Sequence, residues 1–479
     1  MTNVLFVAAE AVPFVKTGGL ADVVGSLPKT LNGHGLDVRV VLPKYKSIPA
    51  RYTAAMEFVA SITVYVSWRK KYCGIYRLRH ENITYYFIDN EEYFGRDRLY
   101  GYWDDGERFA FFCRAVLEML PVIEFFPQVL HCHDWHAALV NVFLRAFYKR
   151  LPEYRTIRTL FTIHNLRYQG IFPKTVLTDV LGLGWQYFRA DFLEFYDQVN
   201  YMKGGIVAAD LVSTVSETYA REIQYPFFGE HLDGLLRERQ FDLEGIINGI
   251  DYEVYDPATD QQIFVNYDLD TLDRKRENKL QLQELLGLPV KHTTPMVAIV
   301  SRLVGPKGLD LIAHVLDELL TYEDAQFVVL GTGEEKYESL FQYAAWKYPA
   351  KLSTNIFFDD KLAHQIYAGT DMFLMPSLYE PCGIGQLIAL RYGTVPIVRE
   401  VGGLKDTVRP FNQYTGEGNG FTFSHYNAHD MLYTIKRALG IYHDKLLWQK
   451  VVRNAMTSDY GWQHSAIQYI GLYQRLGTR

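Results

Sequence analysis

The sequence predicts an α/β protein of two doubly wound domains, and three observations carry that prediction. Short apolar runs alternate with helix-compatible segments almost throughout, the pattern of parallel strands covered by helices on both faces. The chain has 479 residues, more than one ordinary hydrophobic core accommodates. A glycine turn of the form Gly-Gly-Leu-x-Asp occurs once in each half, at Gly18-Gly19-Leu20 and at Gly402-Gly403-Leu404. Each follows a strand-like run, so the repeat suggests two α/β units that present a glycine turn toward a common cleft.

In the first half, apolar runs at 3–8, 38–42, 83–88, 129–132, 159–163 and 211–215 read as strands. In the second half the runs at 296–300, 326–330, 372–375 and 395–398 do so. A boundary is expected after Ile246-Ile247-Asn248-Gly249-Ile250-Asp251, where turn-rich sequence (256–260) and then a charged, helix-like run (273–279) begin. This divides the chain into domains 1–250 and 251–459 and a tail 460–479. Doubly wound sheets bind ligands outside the carboxyl ends of their strands. The chemistry is therefore expected in the loops that follow strands, lining an interdomain cleft.

Composition narrows the class. Hydrophobic residues make up 48% of the chain, as in globular proteins. The net charge of −6 argues against a general nucleic-acid binder. The 4 cysteines, Cys73, Cys113, Cys132 and Cys382, form no Cys-x-x-Cys pair and no disulfide framework, which points to a reducing compartment. The N-terminus lacks the pattern of a signal peptide, and no apolar run reaches membrane-spanning length. A soluble, cytoplasmic protein is expected. The 35 Tyr and 29 Phe could stack on sugar rings, though most must fill core.

Five segments after strands hold the unusual residues. Lys16-Thr17-Gly18-Gly19-Leu20 joins the first strand to a helix. Glycines and helix N-terminal amides suit an anion there, and an ordinary β–α turn is the alternative. It is neither Gly-x-Gly-x-x-Gly nor a Walker loop. His131-Cys132-His133-Asp134-Trp135-His136 gathers metal-ligating types without a spaced partner pair, so a hydrogen-bonding cluster is preferred over zinc. His164-Asn165 supply donors and acceptors at another strand end, where the residues alone slightly favour a purely structural histidine over a catalytic one.

In the second half, Arg302 and Lys307 stand on a Gly/Pro loop before an apolar helix. Arginine forks across phosphate oxygens and lysine acts as a point charge, which suits a diphosphate. Glu380-Pro381-Cys382-Gly383-Ile384-Gly385-Gln386 then sets a carboxylate before a glycine-rich helix start. Such a pair can hold a sugar hydroxyl and a phosphate together. Cys382 has no His-based nucleophile machinery beside it, which disfavours cysteine catalysis.

Taken in order, these segments resemble the bacterial glycogen synthases and plant starch synthases. The matching stretches are Lys16–Leu20, His133-Asp134-Trp135-His136, His164-Asn165 with Tyr168-Gln169-Gly170, and Asn248-Gly249-Ile250-Asp251. They continue with Ser301-Arg302-Leu303, Lys307-Gly308, Glu380-Pro381-Cys382-Gly383, Tyr392-Gly393-Thr394 and Gly402-Gly403-Leu404, covering essentially the whole chain.

The resemblance implies two facing Rossmann-like domains of the GT-B type. It implies transfer of glucose from ADP-glucose to the non-reducing end of an α-1,4-glucan with retention of configuration, releasing ADP. It assigns Arg302 and Lys307 to the diphosphate, Glu380 to the donor glucose and His164 to the anomeric centre. Cys382, Gly383, Ile384, Gly385 and Gln386 would seat sugar and phosphate. Lys16, Gly18 and Gly19 would close over the phosphates, and Asp22, Asp134, Asn165 and Asn248 would make polar contacts.

No cofactor and no metal are expected. Cations that stabilise the departing diphosphate suit an oxocarbenium-like transition state. A front-face mechanism is favoured, in which the leaving phosphate helps deprotonate the acceptor, because no carboxylate nucleophile is evident. The segment from Tyr460 resembles the family's tail helix that returns to the first domain. Glucan phosphorylase, a transferase using a small sugar acceptor, and a non-enzymatic glucan-binding protein are the alternatives. The last of these does not account for Lys16, Arg302, Lys307 and Glu380 together.

Overall fold

The computed structural model describes residues 2–477. Met1, Thr478 and Arg479 lie outside that range, the last two being the end of the expected tail segment. The chain forms two compact units. One runs through Asn248 and takes in the chain from Trp462, and the other is Gly249–Gly461.

The first unit is built on a nine-stranded sheet. Its first strand, Asn3–Val7, pairs in parallel with Asp37–Pro43 on one side and Val129–His133 on the other. Beyond Val129–His133 lie Arg158–Ile163, Leu211–Thr214 and Leu243–Gly245, all parallel. Strand order therefore reverses beside Asn3–Val7, and the loops after this strand and after Val129–His133 leave the sheet side by side. That is where doubly wound sheets place ligands.

The far edge departs from the expected all-parallel pattern. Ile83–Asp89 pairs antiparallel with Arg69–His80, which pairs antiparallel with Glu57–Val66. These two strands alternate buried and exposed residues toward their turn instead of forming buried apolar runs. Their period-2 pattern is that of an edge hairpin with one solvated face. The hairpin turns at Ser67, whose φ is 53°.

Helix Gly19–Gly33 buries Leu20, Val23, Val24, Leu27 and Leu31. These residues recur at helical spacing and form one apolar stripe. Helix Trp462–Gly477 belongs to this unit. Tyr473 reaches His131 in strand Val129–His133 at 2.9 Å, and the Ser465 hydroxyl donates to the Ile247 carbonyl.

The second unit has a six-stranded, fully parallel sheet. Numbered by sequence, its strands Met296–Val300, Gln326–Leu330, Leu352–Asn355, Met372–Met375, Val395–Arg399 and Phe421–Phe423 lie in the order 3-2-1-4-5-6. That is the doubly wound dinucleotide-binding order, with its switch point between strands 1 and 4. Val297, Ala298, Val328, Val329 and Phe373 sit at or near zero exposure between the helix layers. Each larger side chain so buried contributes about 1.5–3 kcal/mol. No helix among the described residues is long and apolar enough to cross a membrane.

Candidate functional site

The switch point of the second unit brings together the two loops singled out for anion and sugar binding. After strand Met296–Val300 the chain makes a single 3-10 turn, Gly305–Lys307, and passes through Gly308 at φ 73°. A side chain at Gly308 would collide with the Pro376 carbonyl. The glycine thus lets this loop lie against the loop after strand Met372–Met375, and Leu378 N–H donates to Pro306 O at 2.9 Å.

This close approach puts Lys307 Nζ 2.7 Å from Glu380 Oε2, an oxygen that also accepts from Ser377 Oγ at 2.9 Å. Glu380 is 8% exposed. Arg302 is exposed, and its guanidinium has no partner among the described residues. The arrangement holds one carboxylate oxygen in place and leaves donors of Lys307 and Arg302 open to an anion.

The residues after Glu380 divide into surface and support. Gln386 is fully buried, and its Nε2 donates to Cys382 O at 3.0 Å, Gly383 O at 3.1 Å and Thr407 Oγ1 at 3.2 Å. Its side chain braces the turn from inside, so what the turn offers outward is the backbone of Gly383, Ile384 and Gly385. Gly383 has φ 78°, and Gly385 lies against Phe373 and Tyr367 with no room for a larger residue unless they shift. Cys382 is 4% exposed.

The second Gly-Gly-Leu has a packing role. Gly402, at φ 46°, meets the Glu380 carbonyl, and Gly403 meets the Cys382 backbone. Gly403 N–H donates to Glu380 O at 3.2 Å. These glycines let helix Gly402–Thr407 start directly against the Glu380 turn.

In the first unit the Lys16–Gly19 loop is held by a residue the sequence reading passed over. The buried Glu10 carboxylate accepts the Thr17 N–H, the Thr17 hydroxyl at 2.8 Å, the Gly18 N–H at 3.4 Å and the Tyr100 hydroxyl at 3.1 Å. Burial raises the pKa of Glu10 against these bonds. The Thr17 and Gly18 amides, expected to be open to an anion, already serve this internal one. Lys16 Nζ pairs with Asp22 Oδ1 at 2.7 Å, and helix Gly19–Gly33 begins with Gly18 in extended conformation.

Asp134 starts helix Asp134–Phe143 at φ 56°, a conformation uncommon for a non-glycine residue and a mark of functional sites. Its Oδ1 accepts the backbone N–H of His164 at 2.8 Å and of Asn165 at 3.4 Å. Asp134 therefore clamps one loop to another, and burial pushes its pKa up to about 7. The Asn165 side chain accepts Arg167 N–H at 3.1 Å, closing a turn of its own loop. Asn248 is buried, with Oδ1 unpartnered among the described residues.

His164 is 9% exposed, and burial lowers its pKa to about 3, so it is neutral. Its Nε2 lies 3.0 Å from His133 Nδ1. His131 sits between Tyr473 OH and Thr162 Oγ1, at 2.9 and 2.6 Å. His136 packs on Trp135 and Tyr100, with ring centroids 4.0 and 4.4 Å apart. Among the described residues no group of three or more His, Cys, Asp or Glu side chains is placed to hold a metal ion. The polar sequence 131–136 forms hydrogen-bonded and stacked contacts that tie strand to helix and to the C-terminal helix.

A doubly wound unit with lysine, arginine and a clamped glutamate at its switch point, in a chain that carries a second doubly wound unit, is suited to a glycosyltransferase, and the relatives of the chain are glycosyltransferases. The chain matches "Starch synthase catalytic domain" over residues 3–238 and "Glycosyl transferases group 1" over residues 287–450. It is 55% identical to a glycogen synthase of Desulforamulus reducens over 474 residues, 99% of this chain and 98% of that protein. A glycogen synthase of Bacillus cereus is 54% identical, with 99% of each chain covered.

Among solved structures, the catalytic domain of starch synthase IV from Arabidopsis thaliana, bound to ADP and acarbose, superposes with a TM-score of 0.93 at 34% identity over all of both chains. A sucrose-phosphate synthase from Thermosynechococcus elongatus shares the fold, with a TM-score of 0.62 at 17% identity over 99% of each chain. The chain belongs to the glycogen synthase and starch synthase family.

Proposed function

We propose that this protein is an ADP-glucose:α-1,4-glucan glucosyltransferase that extends the non-reducing end of glycogen with retention of configuration and releases ADP. The observation that carries this reading is the Lys307–Glu380 contact at the switch point of the second unit. An ammonium beside a carboxylate whose other oxygen remains available suits a sugar diphosphate: Glu380 takes donor glucose hydroxyls while Lys307 and Arg302 take the phosphates. The full-length identity to glycogen synthases and the ADP in the starch synthase structure support this nucleotide sugar and this acceptor.

The chemistry asked of the second unit is electrostatic. Negative charge grows on the diphosphate as the glycosidic bond breaks, and preorganised cations stabilise it there. The leaving phosphate then removes the acceptor hydroxyl proton on the same face of the sugar. The reaction as read asks for no cofactor. In the first unit, the neutral His164 supplies an uncharged polar contact for the sugar, and Asp134 holds the loop that carries it. We place the activity in the cytoplasm, which four buried cysteines that form no disulfide favour.

Product analysis tests this reading. Incubation with ADP-glucose and a short malto-oligosaccharide is expected to add glucose units in α-1,4 linkage, read by mass spectrometry and anomeric proton resonances. A β-linked product, or release of free glucose alone, would overturn it.

A further inference from the structure

The pair His133–His164 carries an inference that rests on the glucosyl-transfer reading and deepens it. One ring nitrogen of each histidine faces the other at 3.0 Å, so a single proton lies between them. His133 Nε2 is buried without a partner among the described residues. His133 is wedged between the rings of His131 and Phe6, with centroids 4.1 and 5.0 Å away. His131 offers it nothing, because Tyr473 and Thr162 occupy both of its nitrogens. His164 Nδ1 bonds no protein group among the described residues and, unlike His133 Nε2, is not sealed from solvent.

Two neutral arrangements are possible. If His164 Nε2–H donated to His133 Nδ1, the proton of His133 would sit on Nε2, a buried N–H without an acceptor. If His133 Nδ1–H donates to His164 Nε2, the sealed nitrogen is a bare lone pair. Among backbone groups an orphaned buried N–H is rarer than an under-satisfied acceptor, and the same preference applied to the ring favours the second arrangement. Protonating both nitrogens of His133 would bury a charge with no counter-ion beside it, which burial opposes.

We infer that His133 is a positioning residue that fixes His164 in one tautomer: His133 Nδ1–H donates to His164 Nε2, and the proton of His164 resides on Nδ1. His164 then presents a neutral N–H donor to the sugar side. It cannot act as a general base from that nitrogen. The hydrogen bond it makes is to an oxygen acceptor, a hydroxyl or a ring or bridging oxygen of the substrate. The buried strand-end histidine acts on the reaction only through the ring it orients, as outer partners of metal-bound histidines do.

The test is ring-nitrogen NMR on the full chain labelled with nitrogen-15 histidine, with the His164 signals assigned by their loss in His164→Asn. The expected result is a proton on Nδ1 of His164 and a bare Nε2. A proton on Nε2 of His164 overturns the inference, whatever the activity of the preparation. Kinetics provide the second readout. His133→Asn keeps an N–H donor near the position of Nδ1 and is expected to keep kcat within about threefold of the unaltered chain. His133→Leu removes the donor, and kcat is expected to fall about 10–100-fold, with KM for ADP-glucose nearly unchanged. Equal kcat in the two variants would contradict the assignment. If His133→Leu does not fold, the tautomer spectrum decides. A preparation with the expected tautomer and no glucosyl transfer would sink the functional reading and leave the tautomer assignment standing.

Discussion

Lys307 Nζ donates to Glu380 Oε2 at 2.7 Å, and Ser377 Oγ donates to the same oxygen at 2.9 Å. One ammonium hydrogen is spent on fixing the carboxylate and two remain open, as does Glu380 Oε1; in the proposed reaction these take phosphate oxygens and a sugar hydroxyl. The two residues therefore act as one device. Replacing Lys307 with Ala is expected to lower kcat by about 10²–10³-fold. It also leaves a nearly buried carboxylate short of a partner, at a cost of about 1–3 kcal/mol. Steady-state kinetics and denaturant unfolding of the same preparation read both effects. A lowered stability with unchanged kcat would confine the pair to a structural role.

Arg302 stands apart from that network. Its exposed guanidinium has no partner among the described residues, so its loss removes no internal bond. Arg302→Ala is expected to unfold within about 0.5 kcal/mol of the unaltered chain, to retain glucan binding in affinity electrophoresis, and to lose most glucosyl transfer. Full activity would remove Arg302 from the donor site.

Glu10 holds the Thr17–Gly18 turn by three donors and is buried. Glu10→Ala strands those donors. The expected loss is about 1–3 kcal/mol of stability, with a raised KM for ADP-glucose as the loop beside Lys16 loosens. Glu10→Gln, which keeps an acceptor oxygen, is expected to lose less of both. Unfolding midpoints and KM values for the two variants check this order.

Acid should weaken the first unit. Burial holds His131 and His133 well below the ordinary histidine range and His136 and His164 at about 3. The unfolded chain protonates all four near pH 6.5. Between pH 6.5 and about 3 it therefore binds more protons at these sites, and stability falls as pH falls. Asp134, pushed up to about 7, and Glu10, also raised, work in the opposite sense. Four groups oppose two, so the thermal midpoint is expected to drop between pH 6.5 and 4. A midpoint that is flat or rising over that window would contradict the buried, neutral cluster.

Gly308 is the position where the two loops of the second unit touch. At φ 73° and against the Pro376 carbonyl, it tolerates no side chain. Gly308→Ala is expected to cost at least about 1–2 kcal/mol from the backbone alone. It should also reduce transfer by separating Lys307 from Glu380. Kinetics and calorimetric unfolding measure the two losses.

The parallel core and the two loops at the second switch point were legible in the sequence, because both announce themselves locally. Continuous apolar runs mark buried strands, and Arg302, Lys307 and Glu380 follow such runs directly. The edge hairpin 57–80 was not legible: its alternation is solvated on one face and marks no buried run. Glu10 escaped notice because its role comes from a contact across a loop of the same chain, without a motif. Gln386 reads as a site residue by position, yet its side chain turns inward, and nothing in a linear sequence distinguishes those faces. Gly402 and Gly403 look like an anion turn and prove to be spacers against the Glu380 turn. His133 sat inside a recognisable cluster, but its pairing with His164 depends on two strands lying side by side.

The measurement that bears most directly on the whole account is incorporation of radiolabelled glucose into glycogen, from ADP-glucose and from UDP-glucose side by side. The account predicts strong incorporation from ADP-glucose and far less from UDP-glucose. Incorporation from UDP-glucose alone would contradict the donor assignment, and incorporation from neither would contradict glucosyl transfer to glycogen itself.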